Sequence, residues 1–72
     1  MDLGTAKLVV DTFEDVIRRA FALLDELPER CSPEEFALLK RETARVANII
    51  DLHVYPLVLK EHPQLDPLRG KG

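Results

Sequence analysis

"LPERCSPEEF", residues 27–36, is the stretch that reverses the direction of this chain. Pro28 cannot continue the interior of a helix and restricts the residue before it, so a helix that arrives here ends. Ser32 then stands at an N-cap position, Pro33 at the first helical position, and Glu35 where a capping box places its carboxylate. A second helix therefore begins within the same ten residues, and the sequence predicts two helices joined by a short loop.

Apolar residues on both sides of this loop recur at the three- and four-residue steps that place side chains on one helical stripe. When the chain is folded back at the loop, the two series pair layer by layer, as in an antiparallel helical hairpin. We therefore predict an all-α fold, with helix one at about 5–27, capped by Asp2 or Thr5, and helix two at about 33–61. The predicted layers, from the loop outward, are Leu27 with Phe36, Leu24 with Leu39, Ala20 with Thr43, Ile17 with Val46, Phe13 with Ile50, Val10 with His53 and Ala6 with Leu57.

Pro56 interrupts the second helix. A proline here removes the hydrogen bond to the carbonyl of Leu52 and crowds that turn, so we expect a kink near Pro56 followed by a short helical continuation. Two more prolines follow residue 62, and they forbid regular structure there. The hairpin is accordingly predicted at 1–62, with Leu65 and Leu68 as the anchors of an irregular C-terminal tail at 63–72.

The helices carry more apolar surface than one hairpin seam covers. Between Val46 and Leu59 the apolar residues go nearly all the way round the helix, which is typical of a helix covered on several sides. In a chain of this length one core rarely supplies more than about 3–5 kcal/mol without a partner subunit or another support. We therefore predict a homodimer that forms a four-helix bundle. Its predicted interface comprises Val9, Val16, Leu23, Ile49, Leu52, Val54, Tyr55, Val58 and Leu59.

Charge is unevenly distributed along the predicted hairpin. The chain has a formal net charge of −3, and one group of carboxylates gathers at the loop end. This group is a candidate surface for a basic partner, as in an antitoxin, immunity protein or small chaperone. A belt of Arg18, Lys40, Arg41 and Arg45 is interleaved with carboxylates, so no nucleic-acid partner is expected. The candidate partner surface comprises Asp25, Glu26, Glu29, Glu34 and Glu35.

Residues that carry catalysis or bind metals do not form a recognisable pattern. Cys31 is the only cysteine, and it is predicted to pack at the start of helix two. Helical neighbours of His53 at three- and four-residue spacing cannot ligate a metal, since they are isoleucine, proline and leucine. No glycine-rich phosphate loop is present. We therefore expect a non-enzymatic protein without cofactor or metal; a ligand- or metal-binding bundle with an intersubunit site near His53, Tyr55 and Val10 remains an alternative.

The sequence therefore favours a small homo-oligomeric helical interaction or scaffold protein. No N-terminal signal is evident, and the longest apolar runs are shorter than the roughly 20 residues that span a bilayer. We expect a cytoplasmic protein with no membrane partner. We expect the chain to associate with a second copy of itself, and another protein is a further possible partner.

Overall fold

The computed structural model describes residues 1–66, and these are helical with no strand among them. Helix α1 spans Leu3–Glu26 and helix α2 spans Pro33–Ile49. Continuous with α2 are a π-helical turn at Ile50–Val54 and a short helix α3 at Tyr55–Leu59. Because α1 contacts both α2 and α3 along the return path of the chain, the predicted all-α hairpin is confirmed.

The loop between the helices forms as its sequence predicts. A 3₁₀ turn covers Leu27–Glu29. Ser32 Oγ then accepts a hydrogen bond from the Glu35 backbone N–H at 3.1 Å, and Glu35 Oε1 accepts one from the Ser32 N–H at 2.8 Å. This reciprocal pair is a capping box, which satisfies two otherwise unpaired donors at the start of α2. The bond from the Ser32 N–H also lowers the pKa of the exposed Glu35 carboxyl.

The first helix begins at the earlier of its two predicted caps. Asp2 Oδ2 accepts a hydrogen bond from the Thr5 N–H at 3.0 Å, and Asp2 Oδ1 accepts one from the Thr5 hydroxyl at 2.6 Å. The hydrogen bond from the Thr5 hydroxyl is the main cause that lowers the pKa of the Asp2 carboxyl, and the bond from the Thr5 N–H lowers it further. Asp2 is therefore the N-cap, and α1 starts slightly before the predicted boundary.

The irregularity expected at Pro56 lies in the turn before it. In the π-helical turn Ile50–Val54 the hydrogen bonds reach one residue further than in an α-helix, and the Tyr55 N–H donates to the carbonyl of Ile50. The wider turn leaves more room for the ring of Pro56, which would crowd the preceding carbonyls of a regular α-helix. The second helical arm, made of α2, the π turn and α3, therefore continues past Pro56 to Leu59, and the π turn accommodates one extra residue.

This extra residue changes which side chains face the seam. His53 and Leu57 were predicted to face α1, but both are exposed, Leu57 by 60%. Tyr55 and Val58 are buried, with exposures of 5% and 1%. The prediction is wrong for these two layers because it applied a uniform helical repeat across a π turn.

The seam is the line along which α1 and the second helical arm pack. Outside those two layers, the residues predicted to line it do so on α1, but only some of them do so on α2. All seven members of the α1 series are buried or half-buried. On α2, Phe36 and Thr43 are half-buried and Ile50 is buried, whereas Leu39 and Val46 are 45% and 48% exposed. In the predicted layers of Leu39 and Val46, the α2 side chain is therefore only partly covered by α1.

The best-buried core lies at the end of the hairpin away from the loop. Ala6, Val10 and Val58 form a buried cluster, against which Val9 and Leu65 pack. Leu65 belongs to a 3₁₀ turn at Pro63–Leu65, so the first residues of the predicted tail contain a helical turn, and Leu65 is an anchor as expected. The predicted second anchor, Leu68, lies outside the described residues.

Polar contacts join the two ends of the chain at the same place. The Met1 ammonium lies 2.7 Å from Glu61 Oε2, and His62 Nε2 lies 2.9 Å from the Met1 carbonyl oxygen. The hydrogen bond from the ammonium lowers the pKa of the Glu61 carboxyl. The residues after α3 are thereby held beside the start of α1.

The shifted register can be tested by two neighbouring substitutions. Val58→Ala removes methyl groups from a side chain that is 1% exposed, and we expect it to lower the free energy of unfolding by about 2 kcal/mol. Leu57→Ala, at a 60% exposed position, is expected to change it by about 0.5 kcal/mol or less. Urea denaturation measures both, and a larger loss for Leu57→Ala would contradict the π-shifted register.

Candidate functional site

One side-chain hydrogen bond crosses the hairpin in a half-buried setting. The Tyr55 hydroxyl donates to Glu14 Oε1 at 3.1 Å, joining α3 to the middle of α1. Burial is the main cause that raises the pKa of Tyr55, and the hydrogen bond to Glu14 and the charges of Glu14 and Asp51 raise it further. The π turn is what aims Tyr55 at α1, so this contact could not be found from regular helical spacing.

The contact has the character of a structural clamp. Tyr55 stays protonated and donates a hydrogen bond to the Glu14 carboxylate, and charge-assisted bonds of this kind are stronger than neutral ones. His53, which the sequence placed near Tyr55 and Val10 in a candidate intersubunit site, is exposed, whereas the other two are buried. The intersubunit site stays a prediction, and no group of three or more side chains that could hold a metal ion occurs within residues 1–66.

The acidic group at the loop end is exposed as a whole. Glu35 is engaged in the capping box, and Asp25 lines a groove that also contains Phe36. Cys31, close by, is half-buried, and its thiol donates to the carbonyl of Leu27 at 3.2 Å. This arrangement gives Cys31 the packing role that the sequence predicted.

The residues predicted to form a dimer interface fall into two groups. Tyr55 and Val58 are buried within the chain itself, with exposures of 5% and 1%, so they offer little surface to a partner. The register shift that turned them inward is the reason. Val16, Leu23, Ile49 and Leu52 are 44% to 61% exposed, while Val9, Val54 and Leu59 are half-buried.

Several exposed apolar side chains share one side of the hairpin. Val9, Val16 and Leu23 follow each other at seven-residue spacing along one flank of α1, beside its buried stripe. Leu39 and Val46 have the same spacing on α2, with Ile49 one turn further. Phe21 of α1 and Lys40 of α2 line a common groove. Helical spacing places the two apolar flanks on the other side of the seam from that groove. We call the six residues Val9, Val16, Leu23, Leu39, Val46 and Ile49 the open apolar face.

The opposite side of the hairpin has a different character. Two grooves of about 510 Å³ each meet at Phe21, which is 42% exposed. The first is also lined by Arg18, Ala22, Leu24, Asp25, Phe36 and Lys40, and the second by Arg41, Ala44, Arg45, Ala47, Asn48 and Asp51. We call this side the Phe21 face.

The cations of the Phe21 face are the basic belt that the sequence predicted. Arg18 pairs with Asp15 at 3.1 Å, and Arg41 and Arg45 pair with Glu42 at 3.5 and 3.4 Å. These are exposed pairs, which contribute little to stability. The sequence had identified the belt, but it had not shown that an exposed aromatic ring lies within it.

Comparison with known proteins does not assign a function to either side. A scan of protein-family models and searches of curated proteins and of solved structures found no match to this chain. None of the helices in residues 1–66 combines the length and apolar character needed to cross a membrane. The two sides of the hairpin are therefore the features from which a function can be argued.

The Tyr55 clamp can be tested directly, because Tyr55 is the only tyrosine of the chain. Its folded-state pKa is raised above the ordinary value of 10.0. The stability it contributes is therefore fully present below that value and is lost as the pH rises through the folded pKa. We expect the ultraviolet absorbance of tyrosinate to appear at higher pH in the folded protein than in urea. Coincident titration curves would contradict the clamp.

Replacing Glu14 provides the matched control for this titration. Glu14→Gln removes the negative charge next to the hydroxyl but leaves Tyr55 buried. The folded-state pKa of Tyr55 is expected to fall yet to stay above 10.0, since burial is the largest cause of the shift. No change in the titration would show that the hydrogen bond to Glu14 is absent in solution.

Proposed function

We propose that this chain is a small non-enzymatic scaffold protein that pairs with a second copy of itself through the open apolar face. Two hairpins joined in this way form a four-helix bundle. The observation that carries the proposal is the exposure of five large apolar side chains on one side of the hairpin: Val16 44%, Leu23 51%, Leu39 45%, Val46 48% and Ile49 50%. Exposed apolar side chains grouped on one side in this way are typical of an interaction site.

The surface area of the chain supports a partner of its own size. A compact monomer of 8.2 kDa exposes about 4500 Å², whereas this chain exposes 5530 Å². The excess of about 1000 Å² is similar to the roughly 800 Å² that each partner buries in a standard interface. The radius of gyration, 14.7 Å, likewise exceeds the roughly 11 Å expected of a compact domain of this length.

The position of the core supports the same proposal. The buried cluster of Ala6, Val10 and Val58 lies at one end of the hairpin, and the middle of the seam is only half-covered on the α2 side. Domains are normally built from at least two packed layers around a core. A second hairpin laid on the open apolar face supplies the missing layer.

The orientation of the two hairpins is left open in this proposal. Opposite charges at the two ends would favour a head-to-tail arrangement, with the acidic loop end of one hairpin near basic residues of the other. Within residues 1–66, Lys7 and Lys60 are cations at the far end. The carboxylates Asp2 and Glu61 also lie there, so this end is not purely basic. Two further cations of the sequence, Arg69 and Lys71, lie outside the described residues.

The proposal of an acidic masking protein has less support. It depends on the exposed carboxylates of the loop end alone, and one of them, Glu35, already caps its own helix. Pairs between exposed charges are screened at physiological salt and contribute little. The open apolar face accounts for more of the unusual surface of the chain.

The dimer is tested by measuring mass in solution. Light scattering after size exclusion, from about 100 µM to about 1 µM, covers dissociation constants near the micromolar range. The wild-type chain is expected to have twice its monomer mass of 8.2 kDa. Leu23→Glu and Val46→Glu, which place an unpaired charge in the proposed interface, are each expected to give monomers.

Leu8→Glu is the matched control. Leu8 is 66% exposed and lies on the side of α1 that faces away from the seam, so the same change there is expected to leave the dimer intact. A wild-type monomer throughout the concentration range would contradict the proposal. A dimer that Leu8→Glu disrupts and Leu23→Glu does not would place the interface on another side.

A further inference from the structure

We propose that the Phe21 face is a second docking surface, and that its partner is an acidic amphipathic helix of another protein. The inference rests on the proposed function in one respect: the dimer occupies the open apolar face and leaves this opposite side free. Its chemistry differs from that of the dimer face, since it combines apolar grooves with charged rims. A surface of this composition is suited to a heterologous partner.

The charge of the Phe21 face is opposite to that of the chain. Four cations, Arg18, Lys40, Arg41 and Arg45, line the two grooves against two carboxylates, Asp25 and Asp51. The chain as a whole carries a net charge of −3. Charge complementarity therefore favours a partner segment rich in Asp or Glu.

The cations are available to such a partner. Lys40 forms no ion pair within residues 1–66. Arg18 pairs with the exposed carboxylate of Asp15, and Arg41 and Arg45 share that of Glu42. Exchanging these weak surface pairs for contacts with a partner costs little.

The two grooves match the repeat of a helix. On α2 the first is lined by Phe36 and Lys40, and the second by residues between Arg41 and Asp51. The centres of these stretches are about eight residues apart, which is about 12 Å along a helix axis. Side chains two turns apart on a docking helix have nearly the same separation, so one apolar residue fits on each side of Phe21.

The lining of the grooves favours a protein over a nucleic acid. Phe21, Ala22, Leu24 and Phe36 give the first groove an apolar floor, and Ala44 and Ala47 do so in the second. A phosphate backbone gains nothing from these surfaces and is repelled by Asp25 and Asp51. On an acidic amphipathic helix, the carboxylates would lie against the cationic rims of the grooves and the leucines against their apolar floors.

The test uses a fluorescent helical peptide of about 16 residues, with leucines at i, i+4 and i+7 and glutamates beside them. Its counterpart has lysine in place of every glutamate, and a thymidine oligonucleotide serves as competitor. Binding is followed by fluorescence anisotropy against the full chain. We expect the acidic peptide to bind about tenfold or more tightly than the lysine peptide, and the oligonucleotide not to displace it.

Three variants locate the binding. Phe21→Ala and Lys40→Glu are each expected to weaken the acidic peptide about tenfold. Leu8→Ala, on the far side of α1, is expected to have no effect. Lys40 is exposed, so Lys40→Glu preserves the fold even if Phe21→Ala lowers the helix content seen by circular dichroism.

Several outcomes would overturn the inference. The acidic peptide could fail to bind, or the lysine peptide could bind equally well. Lys40→Glu could leave binding of the acidic peptide unchanged. Displacement of the acidic peptide by the oligonucleotide would indicate a nucleic-acid surface instead. The masses of the same variants separate this inference from the dimer. A wild-type monomer that binds the acidic peptide through Phe21 would contradict the dimer alone, whereas a dimer that Phe21→Ala disrupts would overturn the present inference.

Discussion

Two helices packed side by side can cover only one stripe of each other, and most features of this structure follow from that constraint. α1 buries one stripe and α2 half-buries Phe36 and Thr43 against it, yet both helices carry further apolar residues that are exposed. Within residues 1–66 no further helical arm packs over those residues. The result is a hairpin that exposes about 1000 Å² more than a compact protein of its mass.

The π turn decides how the remaining apolar residues are distributed. By taking in one extra residue at Ile50–Val54, it turns Tyr55 and Val58 toward α1 and leaves Leu57 in solvent. Val58 then completes the cluster with Ala6 and Val10. The far end of the hairpin therefore holds the best-buried cluster, whereas the α2 side of the seam nearer the loop exposes Leu39 and Val46.

Local signals in the sequence were sufficient for the parts of the fold that depend on neighbouring residues. The capping box of Ser32 and Glu35 and the cap at Asp2 could be predicted because each is set by a few adjacent residues and by backbone hydrogen bonds. The α1 stripe could be predicted for a similar reason, since Leu3–Glu26 is an uninterrupted α-helix.

What could not be predicted depends on the hydrogen-bonding pattern of one turn. Pro56 signals that the helix is disturbed, but it does not say whether the chain kinks, stops or widens, and each solution aims the following residues differently. Tyr55 was therefore assigned to a dimer interface when it bonds to Glu14 instead. The Phe21 grooves were also beyond sequence reasoning, because they form between side chains of both helices.

The two sides of the hairpin raise the question of why the acidic loop end of one molecule would not bind the cationic Phe21 face of another. Such a contact would be heterologous, and repeated from molecule to molecule it would build open chains. The geometry of the loop end disfavours it. Its carboxylates border a 3₁₀ turn that contains Pro28, and they are not accompanied by two apolar side chains a pair of helical turns apart. The amphipathic helix proposed as partner of the Phe21 face offers both features, and for this reason we propose a different protein rather than a second copy of this chain.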